Sequence, residues 1–123
     1  EVEDKSGSKT VYLYGYGQTL LIARIENATK EQVASALGVS IANLVTINET
    51  KLTQLNNLRT NTALKDALIT TYEHKPLVGI TKMTDPKGSS MSYEYDSFNR
   101  LKAIKDNKGN ILEEYEYNYK NNQ

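Results

Sequence analysis

The sequence has no cysteine and no tryptophan, only one phenylalanine and one histidine, and only two prolines. The missing cysteines exclude disulfides and thiolate metal sites, but leave the compartment open. A single histidine cannot form a histidine cluster, and there is no P-loop or dinucleotide glycine fingerprint. No catalytic, cofactor or metal site is therefore expected. Charge of one sign is not in excess either: 15 basic and 15 acidic residues give a formal net charge of zero. That argues against a nucleic acid partner or an anionic membrane surface. No run approaches the roughly 18 apolar residues that span a bilayer, so no membrane insertion is expected. At 123 residues, 38% hydrophobic and a mean hydropathy of −0.59, the chain has room for one domain, two at most, with a small core.

Tyrosine is abundant, with nine copies, and it clusters as Tyr12/Tyr14/Tyr16, Tyr93/Tyr95 and Tyr115/Tyr117/Tyr119. A spacing of two places each cluster on one face of a strand. The last two clusters belong to a repeated pattern. Asp85 to Asp106 and Gly88 to Gly109 are both 21 residues apart, and Tyr93 to Tyr115 and Tyr95 to Tyr117 are both 22 apart. A fixed period near 20 residues signals one small structural unit stacked on itself.

Residues 1–10 are charged and small and read as a disordered lead-in. Residues 11–26 alternate around Gly15, Gly17 and Gln18 and predict a hairpin. The period then becomes helical. Thr29 and Gln32 form a capping-box signature, Val33 and Leu37 lie four apart, and Gly38 fits a helix stop. Ile41, Leu44 and Val45 suggest a second helix, Leu52, Leu55 and Leu58 a third, and Asn61 caps a last turn at 63–67. Residues 28–67 are thus a helical insertion. Residues 68–119 return to strand periodicity, with tight turns at 86–88, 97–99 and 107–109, and form a β-meander. The expected fold is α+β: an antiparallel β-hairpin meander with an inserted helical segment, residues 11–123 forming one domain. Tyr12-x-Tyr14-x5-Leu20 shares the spacing of Tyr93-x-Tyr95-x5-Leu101 and reads as a degenerate first copy.

Gly88, Tyr93, Tyr95, Asp96, Arg100 and Leu101, followed by Gly109, Tyr115 and Tyr117, resemble the RHS or YD repeat. That unit runs Gly, a short gap, Tyr-x-Tyr-Asp, two residues, then Gly-Arg-Leu. Here Asn99 replaces the turn glycine and the gap is one residue longer, which suggests a bulged or lengthened turn. Asn118 stands where a second Asp would, without Arg-Leu after it, as at the C-terminal end of an array. The resemblance implies a piece of a larger bacterial protein, secreted or on the cell surface, with a structural or adhesive role and no catalysis. Its partners would be the remainder of that repeat protein, other copies through open sheet edges, and cell-wall glycan.

Other residues allow chemistry on paper. His74 has only Glu73 nearby in sequence and reads as a surface or cross-strand residue. Asp85, Asp96 and Asp106 stand at strand ends, where carboxylates accept turn N–H groups. Glu113, Glu114 and Glu116 read as surface charge. The tyrosines read as cross-strand packing, worth roughly 0.2–1 kcal/mol per pair, ahead of a sugar-stacking face. A second resemblance lies at residues 38–48, from Gly38 to Asn48, which is similar to the middle of a LysM module, with Gly17 to Leu20 echoing its opening. It implies an alternative function, binding peptidoglycan through the helical segment, and requires a closing strand soon after Asn48.

Overall fold

The computed structural model describes residues 2, 3, 9–44 and 46–117. Its eight strands are β1 (Val2–Glu3), β2 (Lys9–Gly15), β3 (Leu20–Glu26), β4 (Leu68–Lys75), β5 (Gly79–Thr84), β6 (Ser90–Tyr95), β7 (Leu101–Asp106) and β8 (Ile111–Glu114). They form one antiparallel sheet in sequential order, a pure meander. The lead-in is therefore partly ordered: Val2 and Glu3 pair with Thr10 and Lys9. Most of that segment lies outside the described residues, as do Val45, Asn118 and Tyr119. The last strand stops at Glu114 rather than continuing toward 119.

The inserted segment leaves β3 and returns at β4, which pair directly, Glu26 opposite Leu68. It holds α1 (Lys30–Leu37), α2 (Ile41–Leu44) and α3 (Leu52–Asn57), joined by 3-10 turns. The start of α1 is fixed by the expected capping box between Thr29 and Gln32. Its end is Gly38 at φ 73, the left-handed value that glycine adopts without steric cost. Asn61 accepts the Ala63 N–H and starts the final turn. The stripe of Val33, Ala34, Leu44, Leu55, Leu58 and Leu64 packs on Val11, Leu13, Ala23, Ile25 and Ile69 of β2–β4. The helices thus cover the face carrying Val11 and Leu13, while Tyr12 and Tyr14 point the other way. Ile41, expected inside, is exposed, because α2 is a single turn that turns only Leu44 inward.

Beyond β4 the helical layer ends and the sheet is single. The alternation there runs in the opposite sense. On the helix side, Glu73, Lys82, Ser92 and Lys105 lie across from one another. On the helix-free side, Tyr72, Met83 and Met91 form one row, and Tyr93 sits opposite Ile104. Apolar residues therefore face the helices in the first strands and face away from them in the last.

Four pairings carry a one-residue bulge. The unpaired residue is Ile22 between β2 and β3, Thr81 between β4 and β5, Lys102 between β6 and β7, and Leu112 between β7 and β8. Leu112 explains the two periods: it is the one extra residue that makes the tyrosine spacing 22 where the glycine spacing is 21.

Candidate functional site

The repeat's polar residues act on backbone. Asp85, Asp96 and Asp106 each close a five-residue turn with the same bonds. The Asp85 Oδ1 accepts the N–H groups of Lys87 and Ser89, both at 2.9 Å. The Asp96 Oδ1 accepts those of Phe98 at 2.8 Å and Arg100 at 3.0 Å. The Asp106 Oδ1 accepts those of Lys108 and Asn110, both at 2.9 Å. In each turn the aspartate carbonyl accepts from the residue three on, which has positive φ: Gly88 at 87°, Asn99 at 61° and Gly109 at 86°. Asn tolerates this region better than most residues, so Asn99 serves where the other turns use glycine. The turn at Asp96 is therefore not lengthened. The extra residue of that unit is the bulged Lys102, within the strand.

Electrostatics follow from this geometry. The Arg100 N–H is the largest cause holding the Asp96 carboxyl below its ordinary range, with the Phe98 N–H and the Arg100 guanidinium adding to it against slight desolvation. Asn110 and Lys108 do the same for Asp106. Arg100 Nε donates to Asp96 Oδ2 at 2.9 Å, an ion pair that braces the turn.

A second set of bonds joins one unit to the next. The Tyr95 hydroxyl donates to the Ile80 carbonyl at 2.7 Å, and the Tyr117 hydroxyl donates to the Leu101 carbonyl at 2.5 Å. His74 Nε2 lies 2.6 Å from the Leu21 carbonyl and, as the Nε2–H tautomer, donates to it. The acceptors are equivalent: Leu21, Ile80 and Leu101 are the residues paired across a bulge with Tyr14, His74 and Tyr95. Each unit thus fastens the bulge of the unit before it. Gly79 makes room for this, since a Cβ there would lie 2.5 Å from the Tyr95 hydroxyl oxygen. One unit later, Arg100 occupies the corresponding position and lies over the Tyr117 ring at 4.2 Å.

These contacts show a copy that sequence reasoning missed. Tyr72-Glu73-His74 lies 21 residues before Tyr93-Glu94-Tyr95 and has the same bulge. The signal was the spacing from Tyr72 to Tyr93, hidden by histidine in place of the second tyrosine. The first hairpin shares the bulge at Tyr14, but its bulge partner is Leu21, with Leu20 opposite Gly15. Leu21 to Glu26 spans five residues, as do Ile80 to Asp85 and Leu101 to Asp106. The helical segment therefore stands where the first unit would have its aspartate turn.

Two further anchors gave no sequence signal. Arg59, after α3, donates from Nε to the Asp85 carbonyl at 3.0 Å and from Nη2 to the carbonyls of Ile69 at 2.8 Å and Thr84 at 3.0 Å. Its Nη1 donates to Asn56, whose Oδ1 also accepts the Thr71 hydroxyl. Partial burial pushes the Arg59 guanidinium below its usual value, with Asp85 opposing this. Arg59 closes the gap where β5 ends before reaching Ile69. At the other end of the layer, Glu49 accepts the Tyr16 N–H at 2.7 Å, and this bond lowers its carboxyl. A Cβ on Gly15 would lie 2.9 Å from the Glu49 nitrogen, so glycine permits the approach.

The remaining candidates are occupied by structure. His74 packs edge-on against Tyr16 with centroids 5.4 Å apart and sits beside no catalytic partner. Glu113 accepts the Tyr115 hydroxyl at 2.8 Å, which raises the phenol. No group of three or more His, Asp or Glu that could hold a metal occurs among the described residues. No described helix is long and apolar enough to cross a membrane. A groove of about 410 Å³ runs beside the free part of β2, between Leu13 and the exposed Ile41 with Leu44. The strand that a LysM-like unit would place soon after Asn48 begins only at Leu68, after α3 and two more 3-10 turns.

Residues 78–111 match the family model described as RHS Repeat, so this part of the chain resembles that family. The match spans the Asp85 and Asp96 turns and reaches just past the Asp106 turn. No curated protein and no solved structure matches the chain.

Proposed function

We propose that this chain is a non-catalytic structural or adhesive piece of a larger bacterial repeat protein that works outside the cell or on its surface. One observation carries the reading: the repeat's aspartates and its second aromatic positions are spent on backbone groups, turn by turn and unit to unit. Such residues set the geometry of an extended sheet and leave no convergent set for chemistry. Residues 11–123 act as one domain, and Gly88, Tyr93, Tyr95, Asp96, Arg100, Leu101, Gly109, Tyr115 and Tyr117 are its structural motif. The edge of β8 and the uncovered part of β2 offer pairing positions to other strands of the parent or to further copies.

The test is alanine substitution at Asp96, His74 and Glu113, with folding and hydrolytic activity followed together. The reading predicts no turnover in the starting protein and, for Asp96→Ala, a loss of stability. Robust turnover abolished by one of these changes in a folded protein overturns it. Co-sedimentation with insoluble peptidoglycan at low and high salt tests the alternative. Salt-resistant binding would move the function to the helical segment.

A further inference from the structure

Nothing described covers the helix-free face of β4–β8, although it is the apolar face of that half of the sheet. Tyr72, Met83, Met91, Tyr93, Leu101 and Ile104 lie on it in adjoining registers. The opposite face of the same strands carries the ion pairs Glu73–Lys82 and Glu94–Lys105. An antiparallel sheet normally buries its apolar face and solvates the charged one. Here the charged side is the one the helices share.

We propose that this face is a self-association surface, packing against the same face of a second copy as two stacked sheets. Three observations fix the occupant. The first is polar satisfaction. The hydroxyls of Tyr95 and Tyr117 and the Nε2 of His74 already bond to carbonyls within the sheet. Covering them leaves no unpaired donor, so an apolar sheet suits the face better than a ligand needing free hydroxyls. The second is area. Seven strands about 4.8 Å apart, with about six residues each rising about 3.3 Å, give a face of roughly 670 Å² per copy, or about 1,300 Å² for a pair. That lies within the range of stable interfaces. The third is charge. Arg24 lies at one end of the face, on β3, and Glu113 at the other, on β8. A two-fold axis along the strands brings the Arg24 end of one copy over the Glu113 end of the other, and sheets stacked within about 30° of alignment interdigitate their side chains.

Sedimentation velocity of the whole chain, at micromolar and millimolar concentration, tests this. The expected result is a dimer that forms with concentration. Met91→Lys and Ile104→Lys should each weaken it at least about thirtyfold, the loss of one hot-spot contact, with the far-ultraviolet circular dichroism kept. Ser92→Lys, on the other face, should leave it intact. Should Ile104→Lys fail to fold, Met91→Lys carries the test, because methionine sites accept changes of shape best. A chain monomeric at both concentrations overturns the proposal. So does a dimer that survives both face variants, or one that Leu112→Lys at the β8 edge dissolves while Met91→Lys does not. That last outcome would leave edge pairing standing and remove only the face.

Discussion

At the scale of single residues, the bond between Tyr95 and the Ile80 carbonyl depends on a missing side chain. Gly79→Ala would drive a methyl into the Tyr95 hydroxyl and strain a backbone at φ +152. The expected cost is about 1–3 kcal/mol, read from the urea midpoint. Combined with Tyr95→Phe, the two losses should sum to less than their separate values, because both remove the same bond. The aspartates make a second prediction. Asp96 and Asp106 have native values below the ordinary carboxylate value of 3.8. A depressed carboxyl stabilises the fold fully above its unfolded value, and that contribution disappears as pH falls through the native value. Thermal midpoints should therefore hold above about pH 5 and fall below about pH 4, and Asp106→Asn should flatten that acid limb. The aspartate turns were legible because a short side chain before a positive-φ residue has few other uses. Arg59 and Glu49 were not, because their partners are backbone groups 10 to 33 residues away. Such acceptors leave no mark on side-chain pattern.

At the scale of elements, local signals placed the helices well where they were capped. The box at Thr29, the glycine at 38 and the asparagine at 61 all lie at the observed ends. The length of α2 was less legible, since a single turn buries only one residue of an apolar run. The strands of the meander followed their turns, but the bulges did not announce themselves. A bulge shifts pairing without changing composition. The core of the helical layer is held by Leu55, which is fully buried, and Leu55→Ala should cost about 2–5 kcal/mol. Arg59→Met keeps the length of the side chain but strands the carbonyls of Ile69, Thr84 and Asp85. It should cost about 1–3 kcal/mol, measured by the same unfolding titration, and should loosen β5 before β3. Deleting Leu112, an exposed bulge residue, converts the β7–β8 register into that of β5–β6.

At the scale of the whole molecule, one meander is held in two ways. The strands β2–β4 are anchored by a helical layer on a shared core. The strands beyond them are joined mainly to their neighbours, by ladder bonds, aspartate turns and one aromatic-position donor per unit. Quasi-one-dimensional stacks of this kind lose order from their ends. The α+β class and the inserted position of the helices could be read from the change of period. The side of the sheet the helices take could not, because the apolar side differs between the two halves.

Native-state hydrogen exchange on the dilute protein tests this division most directly. Amides of β3 and β4 should exchange only through global unfolding, with protection falling stepwise through β5, β6 and β7 to β8. Equal protection of β8 and β3 would contradict the account, because the sheet would then open as one cooperative unit with no need of the helical anchor.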